Sequence, residues 1–107
     1  IPYEKPNCSS ASFGYSMLVH ENAPFTLKQL MDFLESKKIE TRTIMSGNII
    51  KQPVSKFFDY RISGSLSNSD KIMENALWFV NNHLIGTSER EYIVKSISEF
   101  IDNKMWE

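Results

Sequence analysis

Hydrophobic residues follow two different periods in the first third of the chain. Between Phe13 and His20 large apolar residues alternate with small or polar ones, which predicts a strand, and Leu18 on the polar face indicates that both faces are covered. Further on, apolar residues recur at helical spacing, at Leu27, Leu30, Met31 and Leu34. Thr26 and Gln29 fit a capping box at the start of this helix, which we expect to end near Lys37-Lys38.

The rest of the chain continues this mixture of strand and helix patterns. In order, it predicts a strand at 39–45, an irregular stretch at 46–56, a short strand at 57–63, a helix capped by Ser67 or Ser69, a strand at 77–80 and a last helix. A capping box of Ser88 and Glu91 would open the last helix, whose expected inward residues are Ile93, Val94, Ile97, Phe100 and Ile101. Since the connections are short, this order predicts an α+β fold with a small, mostly antiparallel sheet and helices packed on one face.

The chain of 107 residues is expected to form one domain preceded by a short linker. Residues 1–12 contain two prolines and three serines and show no hydrophobic period. We therefore predict an arriving segment there and a single α+β domain at 13–107. The first residue is Ile1 rather than Met, and we expect the chain to be a piece of a longer protein.

Composition and charge argue against several classes of function. The formal net charge is −1 and the basic residues are dispersed, so the chain lacks the basic surface expected of a protein that binds nucleic acid or an anionic membrane. No apolar run in the sequence is long enough to span a bilayer. A single cysteine, Cys8, allows neither an internal disulfide nor a site with several thiolates, and it favours a reducing compartment, the cytoplasm.

Residue types used in catalysis and metal binding form no recognisable constellation. The sequence has no Gly-rich phosphate loop, no His-Glu-x-x-His motif and no Cys-x-x-Cys pair. Its two histidines, His20 and His83, stand at no spacing to Cys8 that a metal site or a Cys–His dyad demands. We therefore predict neither a metal site nor a self-contained catalytic site.

The run from Thr41 to Pro53 holds the strongest candidates for a binding site. Arg42 offers a rigid fork of five donors that suits a carboxylate or a phosphate. Asn48, which follows a glycine, and Gln52 can each present an amide to a sugar or a cofactor. Binding groups concentrate in loops held on a rigid scaffold. The alternative is an ordinary loop that Asn and Gln side chains staple together.

Several short motifs together resemble the C-terminal part of the CDP-4-keto-6-deoxy-glucose 3-dehydrases, which belong to the DegT-type sugar aminotransferase family. These motifs are Ser12-Phe13-Gly14-Tyr15, Pro24-Phe25-Thr26, Thr41-Arg42, Ser46-Gly47-Asn48, Gln52-Pro53, Tyr60-Arg61, Asn68-Ser69-Asp70-Lys71-Ile72-Met73 and Trp78. The family pattern looks like Gly-Thr-Arg, four residues, Gly-Asn, three residues and Gln-Pro. Glu40 stands where that pattern has its first Gly, and the remaining positions match.

The resemblance implies the small C-terminal α+β domain of a type I aminotransferase. The parent enzyme would use pyridoxamine or pyridoxal phosphate (PMP or PLP) to remove the C3 hydroxyl of a CDP-linked 4-keto-6-deoxyhexose, in dideoxysugar and lipopolysaccharide biosynthesis. The expected partners are a large cofactor domain of the same chain, a nucleotide-sugar substrate and a second copy of the parent in a homodimer. Because the family's catalytic His lies in the large domain, we expect this stretch alone to bind no cofactor and to be inactive.

The resemblance also implies which residues face the substrate. Arg42 is expected near an anionic or oxygen-rich group, and Asn48 and Gln52 near sugar hydroxyls. Arg61 is a weaker candidate, because a surface arginine beside a strand explains it equally well.

Two alternatives stay open. Around Asn81 to Gly86 the chain departs from the family, whose loop usually reads Tyr-Pro-Gly, so the small domain of a sugar 4-aminotransferase fits as well. A non-enzymatic α+β module that binds a protein through exposed apolar residues such as Ile49, Ile50, Phe57 and Phe58 belongs to another class. In either setting, an exposed apolar patch would favour self-association of the isolated chain.

Overall fold

A computed structural model of the chain describes residues 4–106, so the first three residues of the predicted arriving segment lie outside it. The elements are β1 (Gly14–Leu18), α1 (Leu27–Ser36), β2 (Thr41–Thr43), α2 (Ser67–Asn75), β3 (Ala76–Val80) and α3 (Thr87–Met105), with two 3-10 turns, Ile49–Lys51 and Pro53–Phe57, between β2 and α2. Residues 4–12 form neither helix nor strand. The division into segment 1–12 and domain 13–107 stays a prediction.

The three strands form an antiparallel sheet in the order β1-β3-β2. β3 is the central strand, and its register sets Leu77 opposite Met17 and Phe79 opposite Tyr15 on one face. Since side chains alternate across a strand, Trp78 and Val80 lie on the other face. The predicted α+β fold with an antiparallel sheet is confirmed.

The hydrophobic core lies between α1, α3 and the face of the sheet that carries Leu77. Leu34 of α1 and Leu77 of β3 are both 0% exposed. Phe100 of α3 is also buried, with its ring centroid 5.0 Å from that of Phe25 and 5.1 Å from that of Phe33. The predicted stripes of α1 and α3 are confirmed with one exception. Val94 is 64% exposed, because the helix turns it away from the core residues.

The capping box predicted for α1 is present, whereas the serine cap predicted for α2 and the capping box predicted for α3 are wrong. The Gln29 side-chain oxygen accepts from the Thr26 N–H at 2.8 Å, and the Thr26 hydroxyl accepts from the Gln29 N–H at 3.2 Å. α3 begins two residues earlier than the Ser88–Glu91 pattern predicts, because the Glu89 carboxylate accepts from the N–H of Gly86 at 2.9 Å.

α2 begins at Ser67 without a side-chain cap. Neither predicted serine serves as its N-cap, because both Ser67 and Ser69 lie inside the helix. The hydroxyl of Ser65 instead accepts from the Ser67 N–H at 3.3 Å, just before the helix.

The strand predicted at 57–63 is wrong. Phe57 ends the second 3-10 turn and is 83% exposed, and residues 58–63 join no ladder of the described sheet. Phe58, Tyr60 and Ile62 alternate as in a strand, but a strand also needs a neighbouring backbone, and this segment has none among the described residues. Among the described helices, none combines the length and the apolar character that crossing a membrane requires.

Candidate functional site

The loop after β2 turns sharply and packs directly on α2. Ser46 and Gly47 both have positive φ, at 61° and 52°. A Cβ added to Gly47 would overlap the backbone and side chain of Met73 in α2. Only glycine combines this backbone conformation with so close an approach, so the Ser-Gly step explains how the loop reaches the helix.

Asn48 joins this loop to α2 through both ends of its amide. The residue is only 3% exposed. Its side-chain oxygen accepts from the Ile50 N–H at 3.2 Å and so caps the first 3-10 turn, and its side-chain nitrogen donates to Asp70 Oδ1 at 2.7 Å. A buried polar side chain with both groups bonded is a strong structural tie.

Asp70 also holds a cation from the same loop. Lys51 Nζ lies 2.9 Å from Asp70 Oδ1 and 3.7 Å from Glu74 Oε1. Hydrogen bonds from Asn48 and then from Lys51 favour the ionised carboxylate and lower the pKa of Asp70 below its usual range. The bond to Asp70 likewise raises the pKa of Lys51.

Gln52 closes the loop on itself. Its side-chain nitrogen donates to the Ser46 carbonyl oxygen at 2.9 Å. Both predicted amides, Asn48 and Gln52, therefore already have partners within the loop or on α2. A shallow cavity of about 430 Å³ beside the loop is lined by Asn48, Arg61 and a set of mainly apolar residues: Ile49, Ile50, Tyr60, Ile62 and Leu66.

Arg42 lies elsewhere, on the face of the sheet opposite the core. It pairs in register with Trp78, and its guanidinium donates through Nε and Nη2 to Glu40 Oε1 at 3.1 and 2.7 Å. This ion pair is well exposed. A cavity of about 590 Å³ at this face is lined by Arg42, Glu40, Trp78, Phe13 and Met45 among others.

Trp78 anchors this open face. Its indole N–H donates to the Thr43 carbonyl oxygen at 3.2 Å, and its ring lies 5.1 Å from that of Phe13. A Cβ at Gly14 would overlap the indole, so this glycine makes room for the ring. Leu18 on the same face is mostly exposed, which makes the expectation that β1 is covered on both sides wrong for this chain.

The structure thus places the predicted site residues in two groups. Asn48 and Gln52 share the loop with Arg61 nearby, while Arg42 faces a separate cavity at the sheet. A contact of these residues with substrate stays a prediction. Asp70 and Trp78 belong to the family resemblance, but no role in the site was predicted for them, because an Asp in a helix's first turn is normally a solvated charge and a Trp in a short strand is normally core.

A phosphorylated cofactor would need a place for its phosphate, for which helix N-termini are the usual choice. At the N-termini of α1 and α3, backbone N–H groups already donate to the side chains of Gln29 and Glu89. The first turn of α2 contains the carboxylate of Asp70, which would repel a phosphate. These residues do not fit a cofactor phosphate. Within residues 4–106 there is also no group of three His, Cys, Asp or Glu side chains close enough to hold a metal ion.

The family model and the curated relatives that match this chain agree with the resemblance carried by its sequence motifs. The profile of the DegT/DnrJ/EryC1/StrS aminotransferase family matches residues 2–98. The dTDP-4-dehydro-2,6-dideoxy-D-glucose 3-dehydratase of Saccharopolyspora spinosa is 34% identical over 101 residues, which cover 94% of this chain and 22% of the relative. The lipopolysaccharide biosynthesis protein RfbH of Salmonella typhimurium is 33% identical over 100 residues, covering 94% and 23%. The chain therefore spans about a fifth of the length of these curated relatives.

Solved structures show the same likeness. A mutant GDP-4-keto-6-deoxymannose-3-dehydratase (ColD) with bound GDP-perosamine superposes with a TM-score of 0.70 at 32% identity, over 78% of this chain and 22% of that one. A structure of GDP-4-keto-6-deoxymannose-3-dehydratase with a trapped PLP-glutamate geminal diamine gives a TM-score of 0.65 at 30% identity, over 77% and 22%.

Proposed function

The chain belongs to the DegT/DnrJ/EryC1/StrS aminotransferase family, and on that basis we propose that it is the C-terminal small domain of a PLP- or PMP-dependent nucleotide-sugar 3-dehydratase. The observation that carries the proposal is the identity of about one third, over 94% of the chain, to a sugar 3-dehydratase. This relationship favours C3 deoxygenation over the transfer of an amine to C4, and an enzyme domain over a free-standing protein-binding module.

The proposed substrate is a nucleotide-linked 4-keto-6-deoxyhexose. The nucleotide is dTDP in one relative and GDP in another, so the CDP expected from the sequence stays a prediction. The name of the Salmonella relative supports a role in making the sugars of lipopolysaccharide. We propose that the reaction takes place in the cytoplasm, since the single cysteine fits a reducing compartment.

Arg42 is the proposed contact to an anionic group of the substrate, because its side chain is exposed and lines a cavity. Asn48 and Gln52 would support the site mainly by holding the loop in shape. Any contact they make with sugar hydroxyls would use the amide hydrogen and the lone pair that their internal bonds leave over.

The cofactor and the rest of the active site would come from outside this stretch. When bound, PLP or PMP supplies the electron sink for breaking the C3–oxygen bond. The described residues do not fit its phosphate, so the expected partner is the cofactor domain of the same polypeptide. That domain would cover the open face around Trp78, and a homodimer of the whole enzyme is part of the proposal.

A chimaeric enzyme tests the proposal. The matching stretch of GDP-4-keto-6-deoxymannose-3-dehydratase is replaced by this chain, and GDP-4-keto-6-deoxymannose is supplied with PLP and glutamate. We expect a 3-deoxy sugar nucleotide by mass spectrometry, and strongly reduced turnover when the chimaera also carries Arg42→Ala. A folded, cofactor-loaded chimaera without turnover would contradict the proposal, and a product with a C4 amine and an intact C3 hydroxyl would support the aminotransferase alternative.

The reading frame upstream of Ile1 offers an independent check. The resemblance implies a large domain with His where most members have the Schiff-base Lys. A Lys at that position would favour an aminotransferase, and a nearby start codon without a large domain would favour the binding module.

A further inference from the structure

Two motifs that lie far apart in the sequence meet in the structure. The Gly47–Pro53 run contacts the Asn68–Met73 run in two ways. Gly47, which has no side chain, packs directly on Met73. Asn48 and Lys51 both bind the carboxylate of Asp70. Asn48 and Asp70 are 22 residues apart in the chain. Neither motif contributes a residue to the described hydrophobic core, so the contact between them is separate from the core packing.

Asp70 is the point at which the two motifs are joined. A single oxygen, Oδ1, accepts from Asn48 at 2.7 Å and lies 2.9 Å from the Lys51 ammonium. Asn48 in turn accepts from the Ile50 N–H, so a continuous path of hydrogen bonds runs from the first turn of α2 to the first 3-10 turn. Removing Asp70 would leave the nearly buried Asn48 amide nitrogen without this acceptor.

We propose that Asp70 is a positioning residue, which fixes the loop from Gly47 to Gln52 in the conformation that lines the cavity beside it. This inference rests on the proposed function in one respect, namely that the sugar hydroxyls reach the loop that carries Asn48 and Gln52, whose cavity is separate from the one that Arg42 lines. Lys51 then serves the same purpose, because its ammonium lies 2.9 Å from Asp70 Oδ1 and is turned to the helix.

An exchange of the two bonded side chains tests the direct bond. Asn48→Asp alone sets two carboxylates against each other, and Asp70→Asn alone removes the charged acceptor. The double variant Asn48→Asp/Asp70→Asn restores a donor and an acceptor in reversed order with unchanged net charge. We expect each single change to speed amide exchange at Ile50 by about tenfold in the 107-residue chain, and the double variant to return within about twofold of the original rate.

Turnover by the chimaera distinguishes a positioning role from a purely structural one, because only a positioning residue would change KM for the substrate. Asp70→Asn should raise KM for the nucleotide sugar by about tenfold with little change in kcat, and the double variant should restore KM. Glu74→Gln is the matched control, because Glu74 lies on the same helix at the longer distance of 3.7 Å from Lys51. It should leave both exchange and KM near the original values.

Two results would overturn the role of Asp70: an unchanged Ile50 exchange rate in Asp70→Asn, or a double variant that behaves like the worse single variant. An effect of Glu74→Gln as large as that of Asp70→Asn would also overturn it, because the charge of the helix rather than the bond to Asn48 would then matter. Failure of the unsubstituted chimaera to dehydrate its substrate would contradict the proposed function instead, since exchange at Ile50 is measured without substrate.

Discussion

The helix-covered half of the molecule and the connection between β2 and α2 are held together by different forces. In the first, apolar side chains of α1, α3 and β3 close a dry core around Leu34 and Leu77. In the second, the buried residue is Asn48, and the 3-10 turns bury no apolar side chain. Burial of apolar area tolerates many sequences, whereas a bonded amide and carboxylate require particular residues at particular positions. The connection therefore depends on the identity of particular residues, whereas the core depends on the amount of apolar area buried.

The largest effect should come from removing core volume. Leu34→Ala should lower the free energy of unfolding by about 3–5 kcal/mol, because it deletes a fully buried side chain and leaves a cavity. Urea denaturation followed by circular dichroism measures this loss. Leu18→Ala on the open face is the control and should cost less than about 1 kcal/mol. Equal losses of unfolding free energy in the two variants would contradict the distinction between the buried and the open face of the sheet.

An effect of similar or slightly smaller size, about 2–5 kcal/mol in total, should follow from a methyl group where the loop approaches α2. Gly47→Ala should cost about 1–2 kcal/mol for its positive φ and about 1–3 kcal/mol for the overlap with Met73. Gly64→Ala is the matched control, because Gly64 also has a positive φ, 70°, but open space around it. Equal losses for the two variants in the same denaturation experiment would show that the loop does not press on the helix.

Acid should loosen the connection before it affects the core. The pKa of Asp70 is lowered in the folded state, so its contribution to stability is complete above the ordinary value of 3.8 and is lost as pH falls through the lowered value. Amide exchange at Ile50, corrected for its intrinsic pH dependence, should therefore accelerate at low pH relative to exchange at Leu34. In Asp70→Asn this difference should be present already at neutral pH and should change little with acid.

The smallest effect on stability is expected at Arg42. Its ion pair with Glu40 is exposed, and such pairs contribute little to folding. Arg42→Ala should therefore leave the thermal midpoint nearly unchanged while it lowers turnover of the chimaera, and Lys28→Ala, which removes another exposed ion pair, should change neither. A large drop in the thermal midpoint of Arg42→Ala would show that Arg42 stabilises the fold, as the core residues do.

The parts of the fold that depend on local periodicity could be predicted from sequence. The stripe of α1 and its Thr26–Gln29 cap require only neighbouring residues, and both were right. The strand at 57–63 failed because alternation describes side chains, whereas a strand is defined by a backbone partner that the sequence does not reveal. The cap of α3 failed because Gly86 admits the Glu89 carboxylate two residues before the serine pattern begins.

The sequence indicated candidate residues for a site but not their arrangement, and their contact with substrate stays a prediction. The residue types of Arg42, Asn48 and Gln52 indicated a candidate binding site in the run after β2. Whether each side chain binds a ligand or bonds within the protein depends on partners elsewhere in the chain. The partner of Asn48 is Asp70, and no local sequence pattern indicates a contact over 22 residues. The same limit applies to Arg42, whose separation from the loop follows from strand register.

The indole of Trp78, held over Gly14 and bonded to the Thr43 carbonyl, makes the open face of the sheet observable by fluorescence. The chain has two tryptophans, and the other, Trp106, is almost fully exposed near the end of α3. A Trp106→Phe variant would leave a single emitter on the open face. Any surface that docks there would displace water from the indole and move its emission to shorter wavelength, so docking on this face could be followed in real time and without an added label.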